Sequence, residues 1–333
     1  MQPRDLSPAP PRARHPLLAG MRGGATRLGC ALLACCALLL AACGEPAPAA
    51  RPARQRPEVW TSFYPTTWMV TRIAGGLVDV RCPVPDGEDP KLWQPPTEVL
   101  AGYQQADLVV LNGAGFERWA STASLPVARL VDSARDLAPG LLQHEGGGAA
   151  HRHGDGPAHV HEGVDGHTWL DPQRARAQAR AVHAGLLRLL PQHEAALAQG
   201  LARLEADLEA LESSLRALGA QPAGTWIYAS HPAYDYLAQR MGWRVANLDL
   251  DPEALPSDEQ VAAIRASLDT RPGRVLVWEA EPLPAAAERL QRELGLASVV
   301  VEPCEAARAG DGPDGYLERW KANVARLAPA FAR

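Results

Sequence analysis

Short, continuous apolar runs separated by stretches of helical periodicity recur from residue 58 to the end of the chain. In the first half these runs are Val59 to Tyr64, Val78 to Val84, Leu108 to Leu111 and Ala128 to Val131, with helical patterns such as Trp68 to Ala74 and Thr97 to Gln105 between them. In the second half Trp226 to Ala229, Trp243 to Leu248, Val275 to Trp278 and Ser298 to Val301 alternate with helical patterns in the same way. Strands that are apolar at every position, rather than at every second one, are covered on both faces. The pattern therefore predicts an α/β protein of two Rossmann-like lobes with parallel sheets. A span of this length is large for one ordinary core and suits two.

Between the halves two helical pieces follow one another, Pro172 to Leu190 and Gln192 to Leu218, with Pro191 closing the first and suited to the first turn of the second. Leu201, Leu204, Leu208, Leu211, Leu215 and Leu218 repeat at spacings of three and four. Such a stripe describes one helix with a buried face, ~40 Å long at ~1.5 Å per residue. Three heptads are few for a coiled-coil seam, so the helix reads as a spine joining the lobes. The resulting division is an N-terminal lobe at 58–190 with a His-rich loop at 144–166, a spine at 191–219 and a C-terminal lobe at 220–333. Open α/β sheets bind ligands beyond the carboxyl ends of their strands, which places the expected site in the interlobe cleft.

The N-terminus reads as a targeting segment over residues 1–43. Residues 31–42, ALLACCALLLAA, form an apolar run too short to span a bilayer. Leu40-Ala41-Ala42-Cys43 followed by Gly44 resembles the lipobox of bacterial lipoproteins, which implies an acylated Cys43 and an extracytoplasmic protein held to the membrane by its lipid. Met21, Arg22 and Arg27 already supply a complete charged region, so Met21 reads as the true start. Residues 44–57 form a Pro/Ala/Arg tether with too little apolar content to fold. Of six cysteines, only Cys82 and Cys304 then belong to the folded part, either bridged or as separate thiols. A net charge of −5 with no basic stripe gives no reason to expect nucleic acid.

Six of the chain's ten histidines, His144, His151, His153, His159, His161 and His167, fall within residues 144–167 among Gly, Asp and Glu. Imidazole is the commonest protein ligand for borderline divalent metals, and a tract this polar cannot pack a core, so the loop is a candidate auxiliary metal-binding segment. Three residues come directly after predicted strands or the loop itself: His167 in Gly-His-Thr-Trp-Leu-Asp-Pro, His231 after Tyr228-Ala229-Ser230, and Glu302 after Val299-Val300-Val301. Two imidazoles and a carboxylate suit tetrahedral Zn²⁺ better than Mn²⁺, which prefers more oxygen. The same donor set holds catalytic zinc, but no His-Glu-x-x-His, nucleophile elbow or Gly-rich phosphate loop is present, which argues against an enzyme.

Several motifs together resemble the zinc and manganese ABC-transporter solute-binding proteins, the cluster A-I family. They are Ser62-Phe63-Tyr64-Pro65, Ala106-Asp107-Leu108-Val109-Val110 running into Asn112-Gly113, Phe116-Glu117-Arg118-Trp119, His167-Thr168-Trp169-Leu170-Asp171-Pro172 and Ser230-His231-Pro232-Ala233-Tyr234. The resemblance implies a lipoprotein that captures a divalent metal between two lobes and hands it to the permease and ATPase of an importer. It also implies a His at the position of Lys91, in Asp89-Pro90-Lys91-Leu92-Trp93. An ammonium has no lone pair and repels a dication unless it deprotonates or swings away. The carried-over ligands are His167, His231 and Glu302. The fourth position is open to water, the His-rich loop or Cys304, or metal binding has been lost. Two other readings remain: a periplasmic zinc buffer or chaperone, and a diverged receptor for a small anionic solute, with Lys91 and the rings of Tyr64, Trp93 and Trp169 as contacts.

Overall fold

The computed structural model describes residues 55–144, 163–219 and 224–332. The signal segment, Cys43, most of the tether, and His151, His153, His159 and His161 lie outside the described residues. In the first lobe, β1 (Glu58–Thr61), α1 (Tyr64–Ala74), β2 (Asp79–Arg81), α2 (Thr97–Gln105), β3 (Leu108–Leu111) and β4 (Leu130–Asp132) alternate. A two-residue antiparallel ladder then pairs β5 (Gln143–His144) with β6 (Gly163–Val164). The helices α3 (Pro172–Leu189) and α4 (Glu194–Arg216) lead to the second lobe. That lobe comprises β7 (Trp226–Ala229), α5 (Asp235–Met241), β8 (Val245–Asn247), α6 (Asp258–Thr270), β9 (Gly273–Trp278), α7 (Pro284–Leu294), β10 (Ala297–Val300) and α8 (Gly315–Phe331).

Each lobe is built on a four-stranded, all-parallel sheet, in the orders β2-β1-β3-β4 and β10-β9-β7-β8. Counted within its own lobe, each sheet has the same order, second, first, third, fourth. The chain leaves the first strand to one side and later returns to the other, which opens a crevice between the carboxyl ends of the first and third strands. Those ends are β1 with β3 in one lobe and β7 with β9 in the other.

The apolar runs become strands, trimmed where the backbone forbids pairing. Pro65 enters the first turn of α1, so the run from Val59 stops at Thr61. Pro83 and Pro85 lack a ladder N–H, and the run from Val78 keeps only Asp79–Arg81. The leucine stripe becomes α4, with Leu197, Leu204, Leu208, Leu211 and Leu215 buried against α1, α3 and α8. The helix is shorter than its apolar pattern, roughly 35 Å, because Pro191–His193 winds as a separate 3-10 turn.

The lobes share their largest core, and each keeps a smaller cluster of its own, around Tyr103 and Trp119 in the first and around Tyr228 and Trp278 in the second. One apolar cluster runs from Val59 and Val110 through Leu208 to Val277 and Leu327, and Gln55–Arg333 is a single compact unit. The chain after β10 is tied to the first lobe: Trp169 Nε1 donates to the Pro303 carbonyl at 2.8 Å, Trp68 Nε1 to the Pro313 carbonyl at 3.1 Å, and the Trp68 and Tyr316 rings stack at 4.2 Å.

Candidate metal centre

At the carboxyl ends of the strands lies a cavity of about 320 Å³ lined by His167, His231, Glu279, Glu305, Lys91 and the turn from Gly87 to Pro90. A larger hollow of about 770 Å³ lies at the opposite edge of the second sheet, at the start of β7, β9 and β10. Arg274 is its one ionisable lining residue. Chemistry therefore concentrates at the first cavity.

His167 is held from every side. Its Nδ1 lies 2.7 Å from Asp165 Oδ1, and the same oxygen accepts the His167 backbone N–H at 2.9 Å. An anionic acceptor at Nδ1 keeps the proton there and presents the Nε2 lone pair to the cavity, the usual arrangement behind a metal-binding imidazole. Asp165 is fixed in turn, since Tyr236 Oη donates to its carbonyl at 2.8 Å and accepts the Leu142 N–H at 2.9 Å. The Gly166 carbonyl takes a bond from Asn112 Nδ2 at 2.9 Å. Beyond His167, the buried Trp169 and the Asp171 cap on Gln173 N–H start α3.

Glu117 supports this arrangement from below. Its buried carboxylate accepts from Ser62 Oγ, at the end of β1, from Asn112 N–H at 2.6 Å and from Gly113 N–H at 3.1 Å, at the end of β3. Burial pushes its pKa up, and these donors oppose the rise. The carboxylate thus ties the two strand ends flanking the crevice and, through Asn112, the peptide preceding His167.

In the second lobe both crevice strands deliver donors. His231 comes after β7 and Glu279 after β9, and Ser230 registers the two: its N–H donates to the Val277 carbonyl at 2.8 Å and its hydroxyl accepts the Glu279 N–H at 3.4 Å. His231 Nδ1 stands 3.4 Å from Glu279 Oε2, and His167 Nε2 stands 3.5 Å from Glu305 Oε1. Donors ~2.0–2.1 Å from a tetrahedral Zn²⁺ sit about 3.3–3.4 Å apart, so each imidazole–carboxylate pair already has ligand spacing. The two rings are 5.4 Å apart between centroids. Among the described residues no three His, Cys, Asp or Glu side chains converge on one point, so the pairs must draw together to share an ion.

Glu302 does not join them. Its carboxylate turns outward to Arg308 at 2.7 Å and Arg326 at 3.1 Å, and its backbone is bonded on both sides by Asn323 of α8. The chain then reverses through Pro303 and Cys304, whose φ of 59° is left-handed, and Glu305 enters the cavity instead. Cys304 itself is 2 % exposed, absent from the cavity wall, with its thiol pushed up to about 12 by burial. Cys82 and Cys304 are separate free thiols. Tyr64, Trp93 and Trp169 are core residues, 8 %, 7 % and 0 % exposed, and not cavity platforms. Glu279, Glu305 and the supporting Asp165 escape sequence reasoning, and Asn112 and Glu117 enter it only as parts of motifs, without a role. Glu279 alone carried a legible signal, its place directly after an apolar strand.

Lys91 does face the cavity. Burial lowers its pKa, and the carboxylates of Glu305 and Asp165 oppose that fall without cancelling it. Its backbone N–H is fixed by Asp89 Oδ1 at 2.8 Å.

Comparison with known proteins gives the chain a family. Residues 59–330 match the family model of ZnuA, the zinc-uptake complex component A, periplasmic. The chain is 26% identical over 305 residues to the zinc-binding lipoprotein AdcA of Streptococcus pneumoniae, covering 89% of this chain but only 59% of that protein's length. It is 25% identical over 305 residues to the high-affinity zinc uptake system protein ZnuA of Bacillus subtilis, covering 90% of this chain and 96% of that one. Among solved structures, the Zn(II)-bound ZnuA-like domain of S. pneumoniae AdcA superposes with a TM-score of 0.69 at 21% identity, covering 84% of this chain and all of that domain. The metal-dependent lipoprotein YcdH of B. subtilis gives the same TM-score, 0.69, at 22% identity. By a family match that spans both lobes, the chain belongs to the ZnuA family, the periplasmic component A of zinc-uptake complexes.

Proposed function

We propose that this chain is the extracytoplasmic solute-binding lipoprotein of an ABC importer, anchored through Cys43, which captures Zn²⁺ in preference to Mn²⁺ and hands it to a permease driven by an ATPase. The observation that carries the reading is the pair of imidazole–carboxylate contacts at donor spacing, His167 with Glu305 and His231 with Glu279. Two nitrogens and two oxygens suit zinc. The names of the AdcA and ZnuA relatives point the same way. Asp165 and Tyr236 orient the first imidazole, and the His-rich segment, His144 to His161, serves as an auxiliary collector of metal. A receptor for an anionic solute fits less well, because Glu88, Asp89, Glu253, Glu279 and Glu305 line the cavity against one Lys91.

Calorimetric titration of the full-length protein with zinc tests the reading. One tight equivalent is expected, abolished by the double substitution His167→Ala, His231→Ala. Equal binding in the double variant, or none in the natural protein, would overturn it.

A further inference from the structure

The cavity wall holds a cation of its own. Lys91 lines the same space as His167, His231, Glu279 and Glu305, and the carboxylates of Glu305 and Asp165 act on it electrostatically. Each imidazole–carboxylate pair supplies one negative charge, so the donor set carries a charge of two, which a dication neutralises. An ammonium in the same space offsets half of the donors' charge in the metal-free protein and faces the dication directly once the metal has entered.

Resting on the metal-capture reading above, we propose that Lys91 is a built-in counter-cation of the cleft, which an incoming divalent metal must expel, and that this exchange sets the affinity of the site. The backbone cannot retreat to achieve it. Asp89 holds the turn through its side chain to the Lys91 N–H at 2.8 Å and through its carbonyl to Leu92 N–H at 3.1 Å and Trp93 N–H at 2.8 Å. Trp93 is sunk in a cluster with Tyr103 and Trp119. The flexible four-carbon stem must therefore swing the ammonium outward, past Glu88 at the exposed rim. Repulsion between a unit charge and a dication a few ångströms apart in a half-buried site opposes binding until that swing is complete. The same ammonium is held beforehand by the charges of Glu305 and Asp165. Lys91 thus acts as an affinity-determining residue that ligates nothing: it weakens capture and eases release to the next carrier.

The test is zinc affinity by chelator competition on the full-length protein and its Lys91→Met, Lys91→Gln and Lys91→Arg variants, with unfolding curves confirming that each is folded. Loss of the charge should tighten zinc binding about tenfold or more in the Met and Gln variants, whereas Arg, which keeps the charge, should not tighten it. The metal-free Met and Gln variants should also melt below the natural protein, and their gain in melting temperature on saturation with zinc should be larger. Unchanged or weaker binding in both neutral variants, with His167→Ala still abolishing it, would overturn this inference and leave the proposed function standing. Equal tightening in Lys91→Arg would overturn it too. Absence of zinc binding in the natural protein would overturn the proposed function and this inference with it.

Discussion

The Asp165 carboxylate decides which nitrogen of His167 is offered to a metal, and two substitutions separate that orienting role from ligation. In Asp165→Asn the amide can donate to Nδ1, which moves the imidazole proton to Nε2 and turns the offered lone pair away from the cavity. Zinc affinity should fall about 10- to 100-fold with little change in the unfolding curve, as loss of an outer partner of a metal-binding His does. Competition titration beside urea unfolding reads both; an unchanged affinity would show that Asp165 only packs. Glu302 and Glu305 give the complementary contrast. Glu305→Gln should weaken zinc binding about tenfold or more. Glu302→Gln should leave affinity unchanged and cost no more than about 1 kcal/mol, because its partners Arg308 and Arg326 are solvent-exposed. The rule that ligands sit just past strand ends made His231 legible in the sequence, and it applies equally to Glu279. It fails at Glu302 because the chain leaving β10 reverses through a left-handed Cys304, and no pattern of apolar residues encodes that turn.

The spine helix α4 shows how a contact overrides propensity. Gly200 lies in its interior, where glycine costs up to about 1 kcal/mol relative to alanine. A Cβ at this position would stand 2.2 Å from the Ile73 carbonyl oxygen at the end of α1, so the close approach of the two helices requires glycine. Gly200→Ala should therefore destabilise the protein by about 1–3 kcal/mol despite its better helix propensity. Urea unfolding checks the sign, and a stabilised variant would mean that α1 and α4 shift apart freely. The helix was legible because its leucines recur every three or four residues, a signal that depends only on which face is buried. The strands were legible as apolar runs, but their ends were set by Pro65, Pro83 and Pro85, and the ladder of β5 with β6 is too short to leave a periodicity.

Two sheets of identical strand order place their crevices together, and this doubling, rather than either lobe alone, makes a four-donor site possible. Parallel α/β lobes were evident from the spacing of apolar runs. Their shared core was not, since chain length favours two separate ones, and only the packed structure reveals apolar contacts running from Val59 to Leu327. The segment after β10 closes the seam, with Trp169 bonded to Pro303, Tyr64 N–H bonded to the Glu305 carbonyl at 3.2 Å, and Cys304 buried between them. That thiol reports on the integrity of the whole molecule. Burial pushes its pKa up to about 12, with Glu302 adding to the rise and Arg319 opposing it. An unfolded thiol titrates near 9, so between about pH 9 and 12 the folded chain keeps a proton that the unfolded chain releases. The contribution is complete below pH 9 and is lost as pH rises through that window. Urea midpoints measured from pH 8 to 11 should fall more steeply for the natural protein than for Cys304→Ala, whose shared tyrosine titrations cancel in the comparison. At pH 8 the native thiol should resist alkylation, followed by mass spectrometry of its peptide, and should react only as fast as the chain unfolds globally. Rapid labelling of Cys304 in the folded protein would mean instead that the seam opens locally, and that the lobes move as separate bodies about α4.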